Sequence, residues 1–321
     1  MWSPPGFQGW GRQRSYFEGW YVKIVTADGG HAVAVIPGIS YEASGAGKAF
    51  IQVMDGRGHT SLYYEFPVSD FHPVADRFAL RIGPHYFSDT KVRVDLQELQ
   101  LDVQLHGHIG WPRSKAAPGI MGWYGFVPFM ECYHDVIAMH CQLSGTGRLY
   151  QTALNFGEGR GYLEKDWGTS FPSCWIWMQS NHFPDDGGEP VSLFASVANI
   201  PWVGRYFIGY IAGFLWRGMV YRFATYLGSR RYTSVSDAEV QLSFRSATHE
   251  LIISARQAKG VDLRSPLSGS MTGKVNESLE ACIEVAFHDR QGNCLYTGEA
   301  FPAGLEVAGD DEHLQALDWV R

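Results

Sequence analysis

Alternation of apolar and polar residues with a period of two is what most restricts this chain. Lys91-Val92-Arg93-Val94-Asp95-Leu96 alternates cleanly, and Leu99-Gln100-Leu101-Asp102-Val103-Gln104-Leu105 alternates again. That period puts every second side chain on one face of an extended strand, whereas a helix would repeat its apolar positions every three to four residues. The two runs predict a hairpin turning near Gln97-Glu98. Val240-Gln241-Leu242-Ser243-Phe244 and Leu251-Ile252-Ile253-Ser254 predict a second, and Ile283-Glu284-Val285-Ala286-Phe287 a late strand. Turn signals recur at Asp28-Gly29-Gly30, Asp55-Gly56, Gly145-Thr146-Gly147 and Asp186-Gly187-Gly188. Helical spacing is confined to the tail, where Leu314, Leu317 and Val320 follow a capping Asp310 or Asp311. Many short strands with frequent glycine turns predict an all-β barrel or sandwich. At 321 residues the chain suits one large or two medium domains.

Composition narrows the classes of function. Apolar residues make up 45% and charged residues 18%, enough for a filled core and too few charges for disorder. The 11 Trp, 16 Tyr and 19 Phe fit both sheet packing and a cavity lined for a large apolar ligand. A net charge of −7 with no basic block excludes nucleic acid as a main partner. Five cysteines without a C-x-x-C predict free thiols in a reducing, cytoplasmic setting. Met1-Trp2-Ser3-Pro4-Pro5 shows no signal-peptide pattern, and the greasy stretch 206–216 is too short to span a bilayer. His106-x-His108 has no third ligand in sequence, so neither a metal nor a cofactor is expected.

Two stretches mix chemistry that sheets usually sort by face. In Gly161-Tyr162-Leu163-Glu164-Lys165-Asp166-Trp167-Gly168, extended geometry puts Tyr162, Glu164 and Asp166 together and Lys165 opposite. Two carboxyls on one face disfavour each other's charge, which can set up an acid and a base of different strength. In Trp175-Ile176-Trp177-Met178-Gln179-Ser180-Asn181-His182, two indoles share a face with Gln179 and Asn181. Indole faces stabilise cations, and amides hold a phenol oxygen. Barrel packing and backbone satisfaction explain the same residues without chemistry. Glu18 falls on the face of Tyr16 and Trp20, either as a functional carboxyl or as the partner of Arg12 or Arg14. Glu131, in Phe129-Met130-Glu131-Cys132-Tyr133-His134, is read as extended beside Phe129 and Tyr133. There it either stays protonated through desolvation or bonds to backbone or Lys165. His134 and His182 are proton relays or hydrogen-bonded structural histidines.

These stretches, with Tyr16-Phe17-Glu18-Gly19-Trp20-Tyr21, Val127-Pro128-Phe129-Met130-Glu131 and Phe171-Pro172, resemble the tocopherol cyclase family over residues 16 to about 183. The chain departs from the family pattern at Asp166, where the cyclases carry Asn, and at Cys132, where they carry Pro. The resemblance implies two tandem lipocalin-like (calycin) β-barrel domains with few short helices, residues 1–170 and 171–321. It further implies acid-catalysed cyclisation of a prenylated quinol or similar isoprenoid lipid without a cofactor. In that reaction a carboxylic acid protonates the alkene and the phenolic oxygen closes a chroman ring. The implied acid is Glu131 or Glu164, with Asp166 as coupled partner or base. Glu18, Trp20, Tyr133, His134, Trp167, Trp175, Trp177, Gln179, Asn181 and His182 would contact the substrate. A prenyl lipid would also bring the protein to a membrane surface. The alternative is a lipocalin-like carrier that binds such a lipid and does no chemistry, which has no use for an unpaired carboxyl in its cavity.

Overall fold

The computed structural model describes residues 3–320. It is all-β: the described residues hold strands and four short 3-10 turns. Among the described residues no helix is long and apolar enough to cross a membrane. The chain divides into two compact units, Met1–Phe171 with Asp262–Val275, and Pro172–Val261 with Asn276–Arg321.

The first unit is built on a twelve-stranded antiparallel sheet. Its hairpins follow from local alternation, and Lys91–Asp95 pairs with Leu99–Ile109 around the expected turn. The long-range step joins the early strand Tyr16–Val25 to the late strand Arg160–Gly168, whose other neighbour is Cys132–Leu149. Opposite residues in an antiparallel pair share a face. Trp20 therefore lies opposite Lys165, Glu18 opposite Trp167 and Val22 opposite Leu163. One apolar core collects Trp20, Val22, Ile24, Val33, Ile51, Leu80, Phe87, Leu101, Leu163 and Trp167 from strands all along the sheet.

The second unit repeats the plan with an eleven-stranded sheet. Trp175–Ser180 lies between Ser192–Trp202 and Cys294–Ala308. Ile176 and Met178 enter the unit's core with Leu193, Phe214, Phe244, Ile253 and Phe287. The hairpin expected from residues 240–254 is present as Glu239–Arg245 against His249–Arg256.

Two local expectations are corrected. The tail is a 3-10 turn, Asp311–Leu314, capped by the Asp310 carboxylate on the Glu312 N–H. It is followed by a strand, Ala316–Val320, that pairs with Arg230–Val235. A free ladder edge satisfies the tail's backbone, and its helical spacing is too short to compete. Residues 127–131 are not extended with the residues after them. They leave the 3-10 turn Gly122–Phe126, Pro128 offers no N–H to a ladder, and the strand starts at Cys132. Phe129 is 56% exposed, so it does not share an apolar strand face with Glu131.

Candidate active site

The strand Arg160–Gly168 carries charge on both of its faces. On the inner face, Lys165 Nζ lies 2.5 Å from Glu18 Oε1, with both side chains fully buried. Lys165 also donates to the Pro4 carbonyl at 2.8 Å and to that of Gly6. Its ammonium sits 4.9 Å from the Trp20 ring and 4.6 Å from the Trp167 ring. Glu18 accepts from the Tyr16 hydroxyl at 2.5 Å and from the Gln8 N–H at 2.9 Å. Burial pushes the Glu18 carboxyl up and the Lys165 ammonium down, while their mutual attraction opposes both shifts. The partner of Glu18 is thus Lys165, not Arg12 or Arg14. Asp135, opposite Lys165, is held by Arg113 at 2.7 Å and by the Ile120 N–H. Buried charges persist only with such complete pairing.

On the outer face, opposite the apolar core, a different cluster forms. His134 Nδ1 lies 2.6 Å from Asp166 Oδ1, and His134 Nε2 lies 3.6 Å from Glu164 Oε2. Tyr162 donates to Glu164 Oε2 at 2.5 Å. Tyr21 stands opposite Glu164 and Gly19 opposite Asp166. Burial alone would lower the His134 pKa, but the carboxylates of Asp166 and Glu164 outweigh it and hold it up to about 9. Burial, then the Glu164 charge, pushes the Tyr162 phenol far above its ordinary value. His134 is therefore a cation at neutral pH, seated between two carboxylates.

Cys132 Sγ lies 3.8 Å from Asp166 Oδ1, so the two departures from the family pattern touch each other. Glu131, just ahead of this strand, is anchored by its carbonyl, which accepts from the Thr169 N–H at 2.9 Å. Gly168 makes that approach feasible: its φ is +150°, and a Cβ there would lie 2.2 Å from the Glu131 oxygen. Burial raises the Glu131 carboxyl.

His134, Glu164 and Asp166 also place three ligand atoms within 4.8 Å of one another, as a metal site would. Sequence spacing missed this group because two neighbouring strands supply it. Here those atoms form an ion pair, and a metal would have to displace the imidazole proton.

In the second unit, Trp175, Trp177 and Gln179 face away from the Ile176–Met178 core. Trp175 Nε1 donates to Glu306 Oε2 at 2.7 Å, and Glu306 pairs in register with Trp177 on one side and Glu277 on the other. Gln179 and Asn181 are fully buried, and Asn181 Oδ1 lies 2.9 Å from His182 Nδ1. Tyr133 faces inward, stacked on Trp167 at 5.3 Å. Alternation alone puts Tyr162 beside Glu164, whereas the contacts of Lys165, Asp135, Glu277 and Glu306 depend on cross-strand register that no short stretch shows.

The sequence model of the family described as "Tocopherol cyclase-like" matches residues 86–309. The chain belongs to the tocopherol cyclase-like family. The match reaches well into the second unit, beyond the motifs that end near residue 183, and begins after Tyr16–Tyr21. Among curated proteins, the chloroplastic tocopherol cyclase of Zea mays is 27% identical over 216 residues, 62% of this chain and 44% of that enzyme. A probable chloroplastic tocopherol cyclase of Oryza sativa subsp. japonica is 27% identical over 148 residues, 45% of this chain and 31% of that protein. The chain thus spans less than half the length of either relative. Of solved structures, CghA with Sch210972 superposes at a TM-score of 0.54 and 12% identity, covering 92% of this chain and 89% of that one. A candidate AttH from Nitrosomonas europaea gives 0.53 and 15%, covering 91% and 92%. These likenesses establish the fold, two lipocalin-like β-barrel units in one chain.

Proposed function

We propose that this family member is a cofactor-independent, acid-catalysed cyclase acting on a prenylated quinol or a similar isoprenoid lipid. The observation that carries the reading is the His134–Asp166–Glu164–Tyr162 network on the face away from the apolar core, with Glu164 and Tyr162 buried and His134 and Asp166 partly so. A structural sheet face has no need of two carboxylates around a charged imidazole, whereas a cation-forming reaction does.

The environments of the carboxyls divide the roles. Glu131 is raised by burial, which favours the neutral form that can protonate an alkene carbon. Glu164 and Asp166, at 3.6 and 2.6 Å from His134, line the place where a tertiary cation would be complemented and a phenolic proton accepted. The proton delivered to the alkene is balanced by the proton lost from the phenol as the chroman C–O bond closes. Trp175, Trp177, Gln179 and Asn181 are the second unit's proposed ligand-binding residues.

The test is chroman formation from a prenylated hydroquinone in detergent, with wild type against Glu131→Gln and Glu164→Gln. Glu131→Gln keeps shape but removes the transferable proton, so it should fold, bind the quinol and lose about 10²–10⁴ in rate. A wild type that binds the quinol but yields neither chroman nor hydrated product is a carrier. Equal activity in all three proteins removes the acid assignment.

A further inference from the structure

The chain's formal charge is −7, yet between Glu189 and Asp237 there is no acidic residue. Arg205, Arg217, Arg222, Arg230 and Arg231 fall in that interval. It forms the meander Ser192–Trp202, Arg205–Trp216 and Met219–Ala224 of the second unit, followed by Arg230–Val235, which pairs instead with Glu239–Arg245.

The two ends of this meander differ. At one end, Arg217 and Gly218 turn the chain, and Arg217 is tied to Asp186 at 2.9 Å and lies over the Trp216 ring. At the other end, Trp202 pairs with Arg205 across a two-residue turn, Val203-Gly204. Val203 is 76% exposed and Tyr206 66%. Trp202 and Phe207 meet edge to face at 5.9 Å beneath them.

Val203 has φ +46° and Gly204 φ +72°. A turn of this kind favours Asn or Asp ahead of Gly, and a β-branched residue at positive φ is strained. An exposed, strained valine between an indole and a phenol contributes little to folding. It gains where the tip enters an apolar phase. Aromatic rings with an arginine at their edge match the bilayer interface, where rings settle at headgroup level and cations meet lipid phosphates.

We infer that the Trp202–Phe207 hairpin tip, with the Arg205 cation, docks the protein on an anionic lipid bilayer surface. A protein partner is less suited: the exposed tip is a two-residue turn, and its cation answers a diffuse negative surface rather than a defined pocket.

The test is co-sedimentation of the full chain with vesicles of phosphatidylcholine and phosphatidylglycerol in a three-to-one ratio, and with phosphatidylcholine alone. The vesicles contain no quinol, so docking is read apart from the proposed reaction. Wild type should partition to the mixed vesicles, more weakly to neutral ones, and less as salt rises. Tyr206→Asp should lower partition by about tenfold or more, and Arg205→Glu several-fold. Val203→Asn separates docking from folding. It relieves the strained φ, so the melting temperature should hold or rise while partition falls. Met219→Asp, exposed at the opposite end of the meander, should bind as wild type does. Wild type that ignores both vesicles overturns the inference. So does unchanged partition of Val203→Asn and Tyr206→Asp, or an equal loss in Met219→Asp.

Discussion

The strands Arg160–Gly168 and Trp175–Ser180 occupy comparable places, each with a ladder neighbour on both sides and one face in its unit's apolar core. Their inner faces differ. The second sends Ile176 and Met178 inward, with no charged residue on that face. The first sends Leu163 and Trp167 inward with Lys165 between them. That lysine is tolerated because Glu18, the Pro4 and Gly6 carbonyls and two indole faces take up its charge. One motif therefore holds two kinds of charge. Lys165 and Glu18 form a closed structural set that also fastens the N-terminal segment, where Trp20 Nε1 donates to the Pro5 carbonyl at 3.0 Å. Glu164 and Asp166, one residue to either side, join His134 on the other face, in the network for which we propose a role in proton transfer. Charge in a family motif does not by itself mark chemistry, and the face it occupies decides.

The comparison is broken most severely at Lys165. Lys165→Met leaves Glu18 buried without its cation, and losing one partner of a buried pair costs roughly 3–5 kcal/mol. Denaturant titration should show that loss. A variant as stable as wild type would mean the inner charges are dispensable.

A smaller effect lies in pH. The folded His134 pKa is raised from an ordinary 6.5 to about 9. A raised pKa contributes stability that is fully present below the unfolded value and is lost as pH climbs through the folded one. Stability should therefore fall between about pH 6.5 and pH 9. At 1.36 kcal/mol per unit, about 3 kcal/mol is the ceiling. His134→Gln should flatten this slope in midpoints measured across that range. An unchanged slope would show that His134 is not the charged centre of the outer network.

The smallest effect sharpens the second strand. Trp175→Phe keeps an aromatic ring but removes the N–H that Glu306 accepts at 2.7 Å. A hydrogen bond to a carboxylate is worth roughly 1.5 kcal/mol. Thermal unfolding should register a drop of that order. No change would mean that the indole contributes area alone.

The sequence by itself determined the all-β class, the hairpins around Gln97-Glu98 and residues 240–254, and the separation of Lys165 from Glu164 and Asp166. Each depends on alternation within a few residues, which the period-two geometry of a strand enforces. It also carried the family, through motifs legible along the chain. Only the tertiary structure decided which charges meet. Glu18 finds Lys165 rather than the nearby Arg12 or Arg14 because the first strand of the unit pairs with its late strand, 147 positions away in the chain at that contact (165 − 18). His134 reaches Asp166 and Glu164 through the pairing of Cys132–Leu149 with Arg160–Gly168, so alternation shows the two carboxyls together but not the imidazole that joins them. The misreading of Glu131 has a local cause: Pro128 and the turn before it keep the chain out of the ladder until Cys132. Register between distant strands is set by burying one whole face of each, a condition that no short stretch of sequence contains.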